Sequence, residues 1–273
     1  RHSADLRNVL ERSSARETVM RVAVGAVAKR LLAELGIDVH GFVLNIGPVR
    51  ADAGQIAQYK TLAELRAVTE SFPTRTLDAE TDEKMRTLLD DTKRDYNTVG
   101  GTVQVIATGV PVGLGSYVSA DTKLDAKIAR AIIGINAFKG VEFGGGFENA
   151  EKFGSEVMDE IYWSEERGFY RGSNNLGGFE GGMTNGEPVV EKGVVKPIPT
   201  LYRPMQSVDI DTHENHRASV ERSDTTAVTA AAVIAEHMVA IELATAILDK
   251  FDTDNMDRLK EQLAAYRAEI KNF

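Results

Sequence analysis

The stretch that most constrains the fold is a helix predicted at residues 226–249. Alanine, valine, isoleucine and other apolar residues occupy nearly every side of it. A helix that is apolar all round has no face suited to water, so we expect it to lie between layers of the fold. The chain has no run of about 18 residues that are all apolar and uncharged, and we therefore expect no membrane span.

Other segments mix helix and strand patterns. Helices are predicted at 14–35, 123–140 and 255–270, and a strand at 39–47. The segment 101–118 is predicted to be a strand that breaks at Pro111, and 187–204 a strand pair followed by a proline-stiffened loop. This mixture predicts an α+β fold in which small-residue helices are buried together and covered by strands. We expect a single domain over residues 1–273, with a peripheral insertion of polar surface helices at 50–95.

Two of the predicted helices carry more specific expectations. Ser14 and Glu17 have the spacing of a capping box, in which each side chain satisfies a free amide of the first turn. The side of this first helix expected to pack against the protein consists of Val19, Ala23, Ala26, Val27 and Leu31. The buried face expected in 255–270 consists of Met256, Leu259, Leu263 and Tyr266.

Composition excludes several kinds of function. The 273 residues include no cysteine, which rules out disulfides, thiolate nucleophiles and cysteine-bound metals. The net charge of −9 argues against a broad nucleic-acid or anionic-membrane surface. No signal peptide is visible, so a cytoplasmic protein is the default expectation.

The tripeptide Glu-Arg-Ser occurs twice, within ERSS at 11–14 and ERSD at 221–224, each time before an alanine-rich helix. A helix N-terminus presents unpaired amides and a partial positive charge, which attract anions. The guanidinium groups of Arg12, Arg16 and Arg222 match pairs of phosphate or carboxylate oxygens. Together these features suit a ligand with several negative groups.

A purely structural alternative stays open at this point. Ser14 and Asp224 can simply cap their helices, with the arginines paired to neighbouring glutamates. Asp224 nevertheless differs from Ser14 because it can take up a proton, and a cation beside it would favour its charged form. That environment suits a carboxylate base better than an acid.

Three loops also carry possible chemistry. The glycines of 171–186 either let a backbone approach a ligand or form hairpin turns, and the segment lacks dinucleotide and P-loop patterns. The segment KPIPT at 196–200 offers Lys196 as a cation and Thr200 as a donor in a proline-stiffened loop. The two histidines of HENH at 213–216 have no obvious third ligand, so we expect no metal site.

Seven segments, taken together, closely resemble chorismate synthases. They are ERSSARET, GVPVGLGSYV, LDAKIARAIIGINAFKGVEFG, NNLGGFEGGMTNGEPVV, KPIPTLYRP, SVDI and ERSDTTAV. Their order and spacing match along nearly the whole chain. The resemblance implies a β-α-β sandwich with central helices between antiparallel sheets, usually assembled as a homotetramer, and 50–95 resembles the variant found in low-GC Gram-positive bacteria.

The resemblance also implies a reaction. Chorismate synthases convert 5-enolpyruvylshikimate 3-phosphate to chorismate and phosphate by 1,4-elimination, a step toward the aromatic amino acids. They need reduced FMN, for which NADPH is a possible source of reducing equivalents, although the reaction has no net redox change. The flavin transiently donates an electron and takes the C6 hydrogen at N5, while the protein supplies an electrostatic frame.

Site roles follow from the same resemblance. The catalytic residues it implies are Asp224, which would deprotonate flavin N5, and Arg222, which would contact flavin and substrate. The cofactor-binding residues are Arg12, Ser13, Ser14, Asn136, Ala137, Gly181, Lys196, Pro197, Ile198, Pro199, Thr200 and Arg222. Substrate contacts come from Ser14, Arg16 and Arg222, and no metal is implied.

One departure from the family pattern bears on activity. The family's N-terminal portion of roughly 120 residues, with GESHG and RPGHAD-type motifs, has no counterpart in these 273 residues, and none of the five histidines sits in such a motif. The expectation is therefore a chorismate synthase without this portion, inactive or nearly so by itself. The alternative is a non-catalytic flavin- or phosphate-binding remnant. The expected partners are the phosphorylated substrate and further copies of the chain, with a flavin reductase as a further candidate, and no nucleic acid or membrane.

Overall fold

A computed structural model describes residue 9, residues 13–220 and residues 222–273 of the protein. Its helices are α1 (Thr18–Glu34), α2 (Leu62–Ser71), α3 (Ala79–Arg94), α4 (Leu124–Ile133), α5 (Gly154–Val157), α6 (Val228–Lys250) and α7 (Met256–Lys271). Its strands are β1 (Asp38–Ile46), β2 (Val49–Arg50), β3 (Gly101–Thr108), β4 (Phe138–Phe143), β5 (Ile161–Ser164), β6 (Gly168–Arg171), β7 (Phe179–Glu180), β8 (Met183–Thr184), β9 (Val189–Val195), β10 (Gln206–Val208) and β11 (Asn215–Arg217). Helices and antiparallel strand pairs thus coexist, which confirms the predicted α+β class.

Five of the strands form one sheet in the order β2-β1-β3-β9-β4. All residues of β1 after Asp38 are buried, as expected for a strand covered on both faces. Buried positions alternate with less buried ones along β9, so one of its faces is more exposed. Three antiparallel pairs, β5–β6, β7–β8 and β10–β11, lie outside this sheet.

The chain divides into two compact units. The first comprises Arg1–Gly41, Gln104–Gly193 and Val233–Phe273, and the second comprises Phe42–Val103 and Val194–Ala232. The division falls inside β1, β3, β9 and α6, so each of these elements contributes residues to both units.

In the first unit, α1 and α6 meet at a glycine. A Cβ atom added to Gly25 would lie 2.4 Å from Cβ of His237 and 2.8 Å from its carbonyl oxygen. No larger side chain fits without moving one of the helices, so Gly25 allows this close approach. The expectation of close helix packing through small residues is confirmed here.

A buried charge cluster joins the same two helices to β1. The carboxylate of Glu236 in α6 pairs with the ammonium of Lys29, lies 3.3 Å from Nδ1 of His40, and accepts a 2.7 Å hydrogen bond from the Gly41 amide. Burial by itself would raise the pKa of Glu236. The hydrogen bond with His40 and the charge of Lys29 outweigh that effect and lower its pKa to about 2.

The predicted packing face of α1 is wrong. Val19 and Val27 are 68% and 72% exposed, Ala23 and Ala26 are also exposed, and Leu31 is only half-buried. The buried residues of this helix are Thr18, Gly25 and Leu32. Apolar residues occupy both sides of the helix, so the periodicity of the sequence could not show which side is buried. The side that packs is the one with Gly25, because its lack of a side chain lets α6 approach.

Helix α6 supplies much of the core of the described residues. It is long and apolar enough, by length and composition, to cross a membrane, with a mean hydropathy of 1.7. However, 56% of that apolar window is buried inside the protein. A buried core helix passes the same test, and the sequence expectation of a helix within the fold agrees with this burial.

Two other predicted elements are shorter than expected. The helix predicted at 123–140 ends at Ile133, and Phe138–Phe143 forms β4. Within 187–204 the predicted strand pair is the single strand β9, and the proline-stiffened loop predicted after it is confirmed, since residues 196–204 are irregular. In the first case the pairing of β4 with β9 decides the outcome, because a sheet formed by distant segments overrides local helix propensity.

The second unit contains the two helices predicted within 50–95. Thr61 caps α2 by accepting a hydrogen bond from the Glu64 amide, and Met85 in α3 is fully buried. The description of this segment as a peripheral insertion stays a prediction.

Candidate active site

The second unit has a cavity of about 290 Å³ that contains most of the ERSD motif. Its lining residues are Lys93, Tyr96, Asn97, Thr98, Tyr202, Arg222, Ser223, Asp224 and Thr225. The cations Lys93 and Arg222 thus share a small space with one carboxylate, that of Asp224. Among the described residues, neither cation forms an ion pair and the carboxylate of Asp224 accepts no hydrogen bond, so all three groups are available to a ligand.

Main-chain hydrogen bonds hold the walls of this cavity together. The Val99 amide donates to the Thr225 carbonyl at 2.9 Å, which fixes the loop after Asp224 beside the segment before β3. The Arg203 amide donates to the Tyr96 carbonyl at 3.1 Å and fixes a second loop at the end of α3. The cavity is therefore built from three segments that are remote in sequence.

The predicted KPIPT segment runs beside the same wall. The Thr98 hydroxyl, which lines the cavity, donates a 2.7 Å hydrogen bond to the carbonyl of Ile198. A Cβ at Gly100 would lie 2.2 Å from the Val195 carbonyl oxygen, so only glycine allows these two segments of the backbone to lie so close together. The structure thus brings residues 196–200 next to a wall of the cavity that holds Arg222 and Asp224.

Asp224 does not cap the helix that follows it, contrary to one sequence interpretation. Helix α6 begins at Val228, and the Val228 amide donates to the Thr226 hydroxyl at 3.3 Å. Arg222, Ser223 and Asp224 lie in the preceding loop. The prediction that they sit at the helix N-terminus is therefore wrong, because Thr226 is the closer hydroxyl to the first turn.

The first unit contains a second group of predicted residues. Nδ2 of Asn136 donates a 2.8 Å hydrogen bond to the Ser13 carbonyl, which joins the ERSS and INAFKG segments. Ser14 caps the short 3-10 turn Ala15–Glu17 by accepting from the Arg16 amide at 3.3 Å. The reciprocal capping bond predicted from Glu17 is replaced by its ion pair with Arg21, at 2.7 Å.

Two backbone conformations mark this group. Ala137 has a φ of 73°, in the left-handed region that a non-glycine residue rarely adopts. Gly181 and Gly182 have φ of 61° and 83° and form the turn between β7 and β8, so the hairpin interpretation of the glycines is confirmed at this point. A Cβ at Gly181 would meet nothing within 4 Å, so the space beside it is open.

Arg12 lies outside the described residues, as do Glu11 and Glu221. The structure therefore gives two groups of the predicted site residues. One is Ser13, Ser14, Arg16, Asn136, Ala137 and Gly181 in the first unit, and the other is 196–200 with Arg222 and Asp224 in the second.

A family model described as chorismate synthase matches residues 1–248 of the chain. The chain belongs to the chorismate synthase family. Its enzymatic class follows from this membership, because chorismate synthases are lyases.

Individual chorismate synthases are similar over the whole chain. That of Leuconostoc mesenteroides subsp. mesenteroides is 76% identical over 273 residues, which are all of this chain and 70% of the relative. Those of Listeria monocytogenes serovar 1/2a and Enterococcus faecalis are 60% and 58% identical over 269 residues, which are 98% of this chain and 69% of each relative. Identity at this level does not favour the non-catalytic alternative.

A crystal structure of a chorismate synthase supports the fold. It superimposes with a TM-score of 0.86 at 42% identity, covering 99% of this chain and 74% of that one. The chorismate synthase fold implied by the sequence is thereby confirmed.

Several cavity residues escaped the sequence analysis. Lys93 belongs to the segment 50–95 that was interpreted as surface, and Tyr96, Asn97 and Thr98 directly follow it, outside the seven motifs. Tyr202 lies in KPIPTLYRP but received no role. The sequence signal that could have found them is the pair Tyr96-Asn97 just after a helical pattern, at a position where glycine is the common residue.

Proposed function

We propose that the chain carries out the chorismate synthase reaction, the 1,4-elimination of phosphate from 5-enolpyruvylshikimate 3-phosphate to give chorismate. Beyond family membership, one observation carries this proposal. Arg222 and Asp224 share a cavity with a second cation, and KPIPT adjoins its wall. The two cations of this cavity suit an anionic substrate that must lose phosphate, and its carboxylate suits a base.

The proposal includes reduced FMN as cofactor, and the residues present fit such a group. The open space beside Gly181 and the left-handed backbone at Ala137 are features of a main chain that receives a ligand closely. The residues proposed to hold the cofactor are Arg12, Ser13, Ser14, Asn136, Ala137, Gly181, residues 196–200 and Arg222. When bound, reduced FMN supplies the electron-rich ring that promotes loss of the phosphate.

The chain's own groups act through charge and proton transfer. Arg222, Arg16 and Ser14 bind the negative groups of the substrate, since guanidinium and hydroxyl donors lower the energy of a departing phosphate. Asp224 would act as the base when reduced FMN is bound, its carboxylate accepting the proton that leaves flavin N5. The loop position of Asp224, free of a capping bond, leaves both carboxylate oxygens available for that task.

Further parts of the proposal rest on the family alone. They are a cytoplasmic location, a homotetramer, NADPH as a source of reducing equivalents, and either a built-in or a separate flavin reductase. The charge of −9 supports a small-molecule enzyme rather than a nucleic-acid binder.

The test compares the complete gene product with Asp224→Asn under anaerobic conditions with reduced FMN. Chorismate formation and phosphate release are followed, and FMN binding is measured separately by fluorescence quenching. Asp224→Asn should bind FMN normally and lose at least about a hundredfold in kcat, the usual contribution of a positioned base.

The matched control is Asp211→Asn, an exposed aspartate in the β10–β11 connection outside the cavity. It should turn over like the wild type. Unchanged turnover in Asp224→Asn would show that Asp224 is not the base. A wild type that binds FMN but forms no product would favour the non-catalytic alternative.

A further inference from the structure

The end of helix α3 has an unusual residue at its terminating position. The Asn97 amide donates to the Thr92 carbonyl at 3.0 Å and the Tyr96 amide donates to the Lys93 carbonyl at 3.1 Å. This pair of bonds closes a helix through one left-handed residue, which is usually glycine. Here that residue is Tyr96, with a φ of 54°. A tyrosine in this conformation is strained, and glycine would close the helix at a lower energy.

Among the described residues, no hydrogen bond or ring contact holds the Tyr96 side chain. It is 62% exposed, and among the described residues no group hydrogen-bonds to its hydroxyl. It lines the cavity that holds Arg222 and Asp224. Residues held in sparsely populated conformations gather at ligand-binding positions, because the strain fixes a side chain where a ligand needs it.

Lys93, one turn earlier, faces the same cavity without a counter-charge. No carboxylate of the described residues pairs with it, whereas the next residue, Arg94, pairs with Asp91. With Arg222 as a second cation and Asp224 as the acidic group, the lining residues that the structure describes carry a formal charge of +1. A small cavity with excess positive charge and hydroxyl donors favours a phosphoryl group.

We infer that Lys93 and Tyr96 bind a phosphoryl group of the ligand in this cavity, Lys93 through its ammonium and Tyr96 through its hydroxyl. This inference rests on the proposed function, and it gives the polar segment 50–95 a part in ligand binding. The phosphoryl group belongs either to the substrate or to FMN, which present the same chemistry.

A structural role for Lys93 makes a different prediction. A lysine in the last turn of a helix interacts favourably with the helix dipole, and its loss then lowers stability slightly without changing ligand affinity. The experiment therefore needs a stability measurement beside each binding measurement.

The test uses the complete gene product with Lys93→Met, Lys93→Arg and Tyr96→Phe, and Arg94→Met as the control from the same helical turn. Lys93→Met should weaken phosphoryl binding about tenfold or more, and Tyr96→Phe about fivefold, as for one charge-assisted and one neutral hydrogen bond. Lys93→Arg should recover most of the loss, and Arg94→Met should bind like the wild type. A raised KM for the substrate with unchanged FMN affinity assigns the substrate's phosphate, and a raised Kd for FMN assigns the cofactor's.

Tyr96→Gly separates function from folding. Glycine relieves the left-handed strain, so the melting temperature should rise by about 2–4 °C while phosphoryl binding weakens. A structural role for the tyrosine would lower the melting temperature instead.

Calorimetric titration with inorganic phosphate tests the inference independently of turnover. If the wild type makes no chorismate, the proposed function fails, and the phosphate titration of the wild type against Lys93→Met still decides the inference. Equal phosphate affinity, KM and FMN affinity in wild type, Lys93→Met and Tyr96→Phe would overturn it.

Discussion

The side-chain amide of Asn136 donates a 2.8 Å hydrogen bond to the Ser13 carbonyl, across 123 positions of sequence. The bond joins two segments that resemble chorismate synthase motifs, and it lies directly before the strained Ala137. Asn136 therefore fixes the position of Ser13 relative to the α4–β4 turn within the first unit.

Replacement of Asn136 by alanine should weaken FMN binding about fivefold. One neutral hydrogen bond contributes about 1 kcal/mol, and its loss frees the Ser13 main chain from the turn. The measurement is a fluorescence titration with FMN. The control is Asn272→Ala, which removes a 2.8 Å bond of the same kind to Ala268 at the end of α7 and should not change FMN affinity.

Replacement of Gly25 by alanine should destabilise the protein by about 1–3 kcal/mol. The added methyl group would overlap His237 at 2.4 Å, and two helices must separate to admit it. Urea unfolding checks this. Gly154→Ala is the control, because a Cβ there meets nothing within 4 Å, and an equal loss in both variants would contradict the close contact of α1 with α6.

Glu191 in β9 should make stability fall as pH rises. It is fully buried, neither carboxylate oxygen has a hydrogen-bond partner in the described part of the chain, and burial raises its pKa to about 8. Between about pH 4.5 and pH 8 the unfolded chain has lost this proton while the folded chain keeps it, so each added pH unit costs up to about 1.4 kcal/mol.

The variant Glu191→Gln keeps the size of the side chain and removes its titration. It should flatten this decline and be more stable than the wild type at pH 8, as measured by urea unfolding at several pH values. Glu261→Gln, at an exposed position of α7, should retain the wild-type slope. A wild-type stability that does not change between pH 5 and pH 8 would argue against a neutral Glu191 in the folded protein.

Glu236 should have the opposite pH dependence. Its pKa of about 2 lies below the unfolded value of 4.5, so its stabilising effect is complete above that value and is lost as pH falls toward 2. Replacement by alanine should cost about 3–5 kcal/mol at pH 7, because Lys29 and the Gly41 amide lose their buried partner.

Urea unfolding of Glu236→Ala at pH 7, beside an acid titration of the wild type, checks both statements. Glu80→Ala serves as control, since its ion pair with Lys84 is exposed and contributes little. A loss no larger in Glu236→Ala than in Glu80→Ala would show that the buried cluster does not stabilise the fold.

The predictions that succeeded rest on strong local patterns. The amphipathic face of α7 is one example, with Leu259 and Leu263 each 2% exposed. The strand β1 is another. In each case the pattern has the period of its element and no distant segment competes with it.

The errors in the site arose where distant contacts decide. INAFKG was predicted to be helical up to Gly140, yet Asn136 and Ala137 lie in a turn because residues 138–143 join the sheet. The helix predicted from residue 226 begins at Val228, so the alternative in which Asp224 caps it is wrong. Local sequence allows several termini, and sheet pairing and loop hydrogen bonds choose among them.

By itself the sequence determined the elements with strong periodicity, the apolar character of α6 and, through seven ordered motifs, membership of the chorismate synthase family. Tertiary structure alone decided which side of α1 is buried, where α4 ends, and that Lys93 and Tyr96 share a cavity with Arg222 and Asp224. The physical reason is that a local pattern records the preference of neighbouring residues, whereas burial and cavity lining depend on contacts between residues far apart in the chain.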